Sequence, residues 1–387
     1  MTAQLVARFP FGMISLAFLL HVERVHDSYG AAGLVLAATS IGQAIAGPMT
    51  SRWMGVWGMR PVITLTLVVC IGSLSVIAIA PTLPIPVYMA VGFIAGISTP
   101  PIQPAVRTIY PKMVNSKQLT PLFSLDASAQ EIIWVVGPVV TVFIATGVNT
   151  TLAIGAAIVF LAVGGVWFLT SPELGRVRIP RSKRRFGAVL SRPPVLLATA
   201  TGFLLIGACA AIEAGVVASF GHDSPNAGIV LAIFSIGSLI GGLSLGHVPI
   251  GPWAMARRML IVFVGTAVAA ASLDFWWLSI ALFIAGIGIA PALAVMFAII
   301  SASVKFSETA EAYGWVGTGQ LLGAAIGSAV AGFMIDAFDA PGAIWVAIAF
   351  AFVGVIVPTV FRRAHPDLRG RDATPLPDTE PITTLRA

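Results

Sequence analysis

Gly33-Leu-Val-Leu-Ala-Ala-Thr-Ser-Ile-Gly-Gln-Ala-Ile-Ala-Gly47 and Gly228-Ile-Val-Leu-Ala-Ile-Phe-Ser-Ile-Gly-Ser-Leu-Ile-Gly-Gly242 share nine of fifteen residues without a gap, at a constant offset of 195. Apolar segments match by chance to some degree, but the shared Ser-Ile-Gly and the shared glycine spacing make coincidence the poorer explanation. A weaker echo follows, in which Gln130, Gly137, Val140 and Phe143 meet Gln320, Gly327, Val330 and Phe333. The chain therefore reads as two similar halves. Between them lies a polar, basic stretch, residues 171–194, with Arg176, Arg178, Arg181, Lys183, Arg184, Arg185 and Arg192.

Each half is too apolar for water. Of the 387 residues 57% are hydrophobic and only 10% are charged, and the mean hydropathy is +0.95. Soluble domains carry about 25% charged residues. A soluble enzyme, a nucleic-acid-binding domain and a disordered chain are excluded. Crossing a bilayer takes about 20 mostly apolar residues as a helix. Such runs occur at 5–20, 29–49, 61–80, 86–106, 121–147 and 151–169. After the basic stretch they recur at 195–220, 227–245, 259–273, 276–304, 311–338 and 341–361. The run from 259 to 304 is too long for one span, and it divides at Asp274, where Trp276 and Trp277 suit a membrane interface.

Twelve spans sort the positive charges. With both termini cytoplasmic, 21 of the 22 Lys and Arg residues fall on the inner side, Arg8 among them, and only Arg24 falls outside. This is the bias that orients membrane proteins. The domains are then 1–170, a six-helix bundle; 171–194, a cytoplasmic linker; 195–362, a second six-helix bundle; and 363–387, a polar tail that reads as disordered. The first apolar run lacks a basic leader and a cleavage site, so it stays as the first span. Cys70 and Cys209 sit in apolar runs, and neither a disulfide framework nor a zinc site is indicated. The histidines His21, His26, His222, His247 and His365 show no metal spacing, and no phosphate-binding Gly-x-x-x-x-Gly-Lys loop exists.

Ionisable groups inside spans are costly and mark function or a partner. Span five carries Asp126 and Glu131, and span seven carries Glu213. Helical rise places Glu131 about 15 Å in, near the midplane. A carboxyl held away from water can exchange its proton near neutral pH. Glu131, Glu213 and Asp126 are therefore the proton-coupling candidates. Asp126 also faces Arg107 at the inner ends of spans five and four, where a simple salt bridge is expected, one that a charge swap should partly restore. Glycines four apart, such as Gly92/Gly96, Gly237/Gly241 and Gly319/Gly323/Gly327, are read as close helix contacts.

Two parallel six-helix halves are the architecture of the major facilitator transporters, and the chain resembles that superfamily in its motifs. The family's loop between spans two and three runs Gly-x-Leu-x-Asp-Arg-x-Gly-Arg-Arg. Here Ser51-Arg-Trp-Met-Gly-Val-Trp-Gly-Met-Arg60 keeps Gly58 and Arg60 but has Gly55 in place of the acid. Gly137-Pro138 looks like the antiporter motif of span five, with Ile133 where its first glycine would be. The mid-helix arginine of drug antiporters is absent from span four. The resemblance implies an all-α fold with spans one, four, seven and ten around a central cavity. Candidates for its lining are Phe11, Phe18, Phe93, Gln103, Gln130, Trp134, Phe203, Met296, Phe297 and Gln320, with Arg107, Asp126 and Arg60 as charge-pair or gating residues.

The function expected is secondary transport, not enzymatic catalysis: a multi-pass monomer of the cytoplasmic membrane moving a small molecule by alternating access. Proton-coupled efflux of an amphipathic or drug-like compound is favoured, with the proton gradient, protons and lipid as the only other participants and no cofactor, metal or nucleic acid. The aromatic, sparsely charged lining suits amphipathic, neutral or cationic cargo. Sugar or metabolite export and uptake symport stay open within the same fold, and a non-transporting scaffold or receptor is the rival from another class.

Overall fold

The computed structural model describes residues 2–182, 184–220, 225–370 and 373–378. Lys183, His222 and the last nine residues of the tail, for which loop, non-metal and disordered roles are expected, lie outside them. Proline and small polar caps delimit the helices. The first crossing combines α1 (Thr2–Arg8) and α2 (Phe11–His26), broken at Phe9-Pro10. Next come α3 (Tyr29–Trp57), α4 (Met59–Ile79), the pair α5 (Ile85–Ile97) and α6 (Ile102–Met113), α7 (Ser116–Gly147) and α8 (Thr150–Thr170). A short α9 (Pro172–Arg176) leads into the linker. The second half holds α10 (Pro193–Phe220), α11 (Pro225–Leu245), α12 (Ala254–Ala269), the pair α13 (Phe275–Ile287) and α14 (Ile289–Ser303), and α15 (Phe306–Val360).

Two prolines in sequence, Pro100-Pro101, cannot both sit inside a helix, and they separate α5 from α6. Asp274, where the long apolar run was divided, caps α13 by accepting the Trp276 N–H at 3.2 Å. The 55-residue α15 is two helices, because Phe338 and Asp339 leave helical backbone, Asp339 at φ 57°. Among the described residues, ten segments are each long and apolar enough to span a bilayer. Division of α15 and the addition of the 16-residue α12 bring the crossings to twelve. The first crossing starts at Thr2, just ahead of the apolar run, and Arg8, inside that run, is buried.

The repeat is visible in the packing. Gly137 of α7 lies against the Gly12 backbone of α2, and Gly327 of α15 lies against Gly207 of α10, the residue 195 positions after Gly12. Gly42 against Phe93 is likewise repeated by Gly237 against Phe283. A Cβ at these glycines would strike backbone, so the close approach of the helices depends on them. Phe143 and its repeat mate Phe333 are among the most exposed apolar residues, as expected of a surface whose solvent is lipid.

Both described termini and the linker lie at one end of the bundle, here termed the basic end. The tail is more ordered there than its composition suggests. The Leu368 N–H donates to Ile250 O, Leu376 pairs with the 304–306 backbone in a parallel bridge, and Asp378 accepts the Ser307 N–H at the start of α15. The free backbone donors of a helix N-terminus supply that seat.

Candidate functional site

Three helices of the first half meet in a buried polar cluster. Asp126 of α7 is inaccessible to solvent and is held by two guanidinium groups. Arg8 Nη1 lies 2.8 Å from Oδ1 and Arg107 Nε lies 2.9 Å from Oδ2. Tyr110 donates its hydroxyl to Oδ1 at 3.0 Å. The expected Arg107–Asp126 contact is thus one side of a three-body arrangement, and Arg8, read as a loop charge, is its missing member. Gln130, one turn beyond Asp126, places Oε1 between the two arginines, 2.7 Å from Arg8 Nη2 and 3.0 Å from Arg107 Nη2. Gln103 reaches Gln130 Oε1 at 2.7 Å, and turned over it presents its oxygen to Arg107 Nη1 at 2.7 Å. Arg60 is elsewhere, donating to Ser171 O at 3.2 Å.

Glu131 is the sixteenth of the 32 residues of α7. It projects from a different face than Asp126, toward the second half, where Ser238 of α11 meets its carboxyl. Glu213, three quarters along α10, lies within electrostatic reach of it, and Cys209 one turn below feels both acids. The two carboxyls therefore face each other from opposite halves. Glu213 is exposed although it sits deep in a helix that is otherwise largely buried, which marks it as facing an open cleft.

Toward the basic end the cleft is closed. Phe123 of α7 packs its ring against Phe297 of α14 and Tyr313 of α15, and the Arg107 guanidinium lies over the Phe297 ring, 3.4 Å from its centre. This is a close cation–π contact between the halves. Thr318, five residues past Tyr313 on α15, donates to Ala44 O, and Ser124, next to Phe123, donates to Gly242 O. Arg52 forms the outermost latch, 2.7 Å from Glu311 of α15, while its other amino group donates to Arg184 O of the linker. The linker is stitched in further by Gly187 N–H to Glu311 and by Arg184 and Arg192 to Glu308. Glu311 thus joins the first half directly, and Glu308 holds the linker. These contacts join the halves between the basic end and mid-bundle, while Glu213, nearer the far end, is exposed.

Arg52→Ala removes the latch without touching the cleft. It should shift the population toward opening at the basic end. A cysteine placed at Thr318, with Cys70 and Cys209 replaced by alanine, should then react several-fold faster with a thiol reagent from that end. Unchanged reactivity would show that the Arg52–Glu311 contact does not hold this end closed.

The remaining lining candidates separate. Trp134 is half exposed, three turns beyond Phe123 on the same face of α7, and so looks into the cleft. Met296 and Phe297 are fully buried and form the closed floor, not an open wall. Phe18 belongs to the core of the first half and Phe11 packs against that core. Phe203 turns its ring to Phe350 at 5.9 Å, away from the cleft. Gln320 is partly buried beside Gly202, and Phe93 is partly buried. Arg8, Tyr110, Ser238, Glu308 and Glu311 escaped notice in the sequence. Arg8 alone carried a signal, an arginine inside the first apolar run, 5–20.

A twelve-crossing bundle of two repeated halves, with a polar cleft closed at one end, is the body of a secondary transporter. The sequence matches the Major Facilitator Superfamily over residues 1–273 and 210–386, and the chain belongs to that family. It is a multi-pass membrane transporter, not an enzyme. No curated protein matches it. Solved structures share its fold. The human organic anion transporter MFSD10 (TETRAN) is 16% identical with a TM-score of 0.72, covering 92% of this chain and 97% of that one. A bacterial homologue of the iron transporter ferroportin in an outward-facing state is 12% identical with a TM-score of 0.75, covering 93% and 97%. The E. coli fucose:proton symporter is 15% identical with a TM-score of 0.69, covering 93% and 98%.

Proposed function

We propose that the chain is a proton-coupled exporter of a small amphipathic, drug-like compound, acting as a monomer in the cytoplasmic membrane with its basic end inside. The observation that carries this reading is the pair Glu131 and Glu213, one from each half, facing each other across the cleft. When both are ionised they repel and favour the far end open. Protons entering from outside neutralise them and let the far end close. Opening at the basic end then returns the protons to the cytoplasm and admits cargo, and its binding restores the starting state. The orientation rests on the basic loops and linker gathered at one end. Gly137 packed on Gly12, in the place of the antiporter motif, supports exchange over symport.

Proteoliposomes with an imposed pH gradient and a panel of amphipathic solutes test the proposal. Cargo should move against the direction of proton flow. Movement of cargo and protons in the same direction would replace export by symport, and cargo movement indifferent to the gradient would remove protons from the cycle.

A further inference from the structure

We propose that Arg8 and Arg107 form a binding site for an anionic group, a carboxylate, on the transported molecule. This rests on the chain being a transporter but not on proton coupling. Two guanidinium groups and one carboxylate leave the cluster with one positive charge in excess. Both arginines are only 3% exposed, and Asp126 is not exposed at all. An excess charge out of water is expensive, and a ligand carboxylate would offset it. The protein supplies instead a neutral substitute. The Gln130 amide oxygen stands between Arg8 Nη2 and Arg107 Nη2, the position where one oxygen of a second carboxylate would accept from both.

The site is also reachable. Gln130 and Gln103, which cover the arginines on the cleft side, are partly exposed. A carboxylate arriving from the far end has only to displace an amide. On the other side Arg107 is covered by Phe297. Arg107 belongs to the first half and Phe297 to the second, so separation of the halves at the basic end uncovers the guanidinium there. A ligand on these arginines is thus exposed to one side and then the other by the same movement. Trp134 lies one turn beyond Gln130 on α7 and offers an aromatic face beside the site. A compound with an apolar ring and one carboxylate fits these features. Under this proposal the cargo is anionic, where the sequence suggested a neutral or cationic one.

Benzoate and its neutral isostere benzamide are the probes, titrated against the purified full-length protein with calorimetry and Trp fluorescence as readouts. Benzoate should bind about tenfold or more tightly than benzamide, as a charge-assisted contact requires. Gln130→Glu supplies a resident carboxylate between the arginines. It should raise the melting temperature and abolish the preference for benzoate. Glu131→Gln should leave the preference intact, which separates this site from the proton pathway. Equal binding of the two probes, no binding of benzoate, a benzoate preference that survives Gln130→Glu, or a lowered melting temperature in that variant would each overturn the assignment.

Discussion

Asp126→Asn should be the most damaging single substitution in the first half. It leaves Arg8 and Arg107 buried without a counter-charge, a loss of about 3–5 kcal/mol by the usual cost of breaking a buried pair. Against a total stability of about 5–15 kcal/mol, that should lower yield sharply and shift the melting temperature of the solubilised protein down. Asp126→Glu keeps the charge and should recover much of the loss. The exchanged pair, Arg107→Asp with Asp126→Arg, should not. An arginine at 126 would face Arg8 Nη1, now 2.8 Å from the Asp126 carboxylate, so the swap restores one contact and breaks another. Recovery to the parent's melting temperature would mean that Arg8 contributes little and that the contact is the two-body bridge the sequence suggested.

Glu131→Gln carries the largest expected effect on transport. The amide preserves shape and can still meet Ser238, so expression and melting should stay near those of the parent. Accumulation driven by a pH gradient should fall by an order of magnitude or more, the size of effect expected when a proton-transfer group is removed. Exchange of cargo without a gradient should persist. Glu131→Asp retains a carboxyl and should retain part of the coupling. Glu213→Gln distinguishes the partners, because the α10 acid is nearer the far end and more exposed. If it abolishes proton dependence while Glu131→Gln does not, the proton resides on the second half.

The spans were legible because lipid imposes one simple rule, about 20 apolar residues per crossing, and the division at Asp274 because a cap and an interface coincide there. The repeat was legible because helices in lipid approach through glycine, which the sequence records at fixed spacing. Orientation of side chains was not. Apart from Glu213, α10 is apolar on every face, so nothing in the linear order says that Phe203 faces Phe350. Arg8 was misplaced for a related reason. Its partners Asp126 and Gln130 are 118 and 122 residues away, and a count of charges by loop cannot see that the helix around Arg8 is inside the bundle. The acids Glu308 and Glu311, around the start of the eleventh apolar run, carry no distinguishing pattern in the sequence. Only the folded linker, carrying Arg184 and Arg192 to them, gives them a role in closing the basic end. The tail was read from composition, and composition could not foresee that the start of α15 offers Asp378 a backbone donor.

In the proposed cycle, ionisation of Glu131 and Glu213 sets which end of the cleft is open. Two spin-label distances measure it in one sample, between Val148 and Phe338 at the far end and between Trp57 and Phe361 at the basic end, all four exposed. Acidification should relieve the repulsion between the carboxyls, so on passing from pH 8 to pH 5.5 the far-end distance should shorten while the basic-end distance lengthens. The double variant Glu131→Gln with Glu213→Gln should hold both distances constant across that range. Distances in the parent that ignore pH, that move together instead of oppositely, or that respond equally in the double variant would contradict the account.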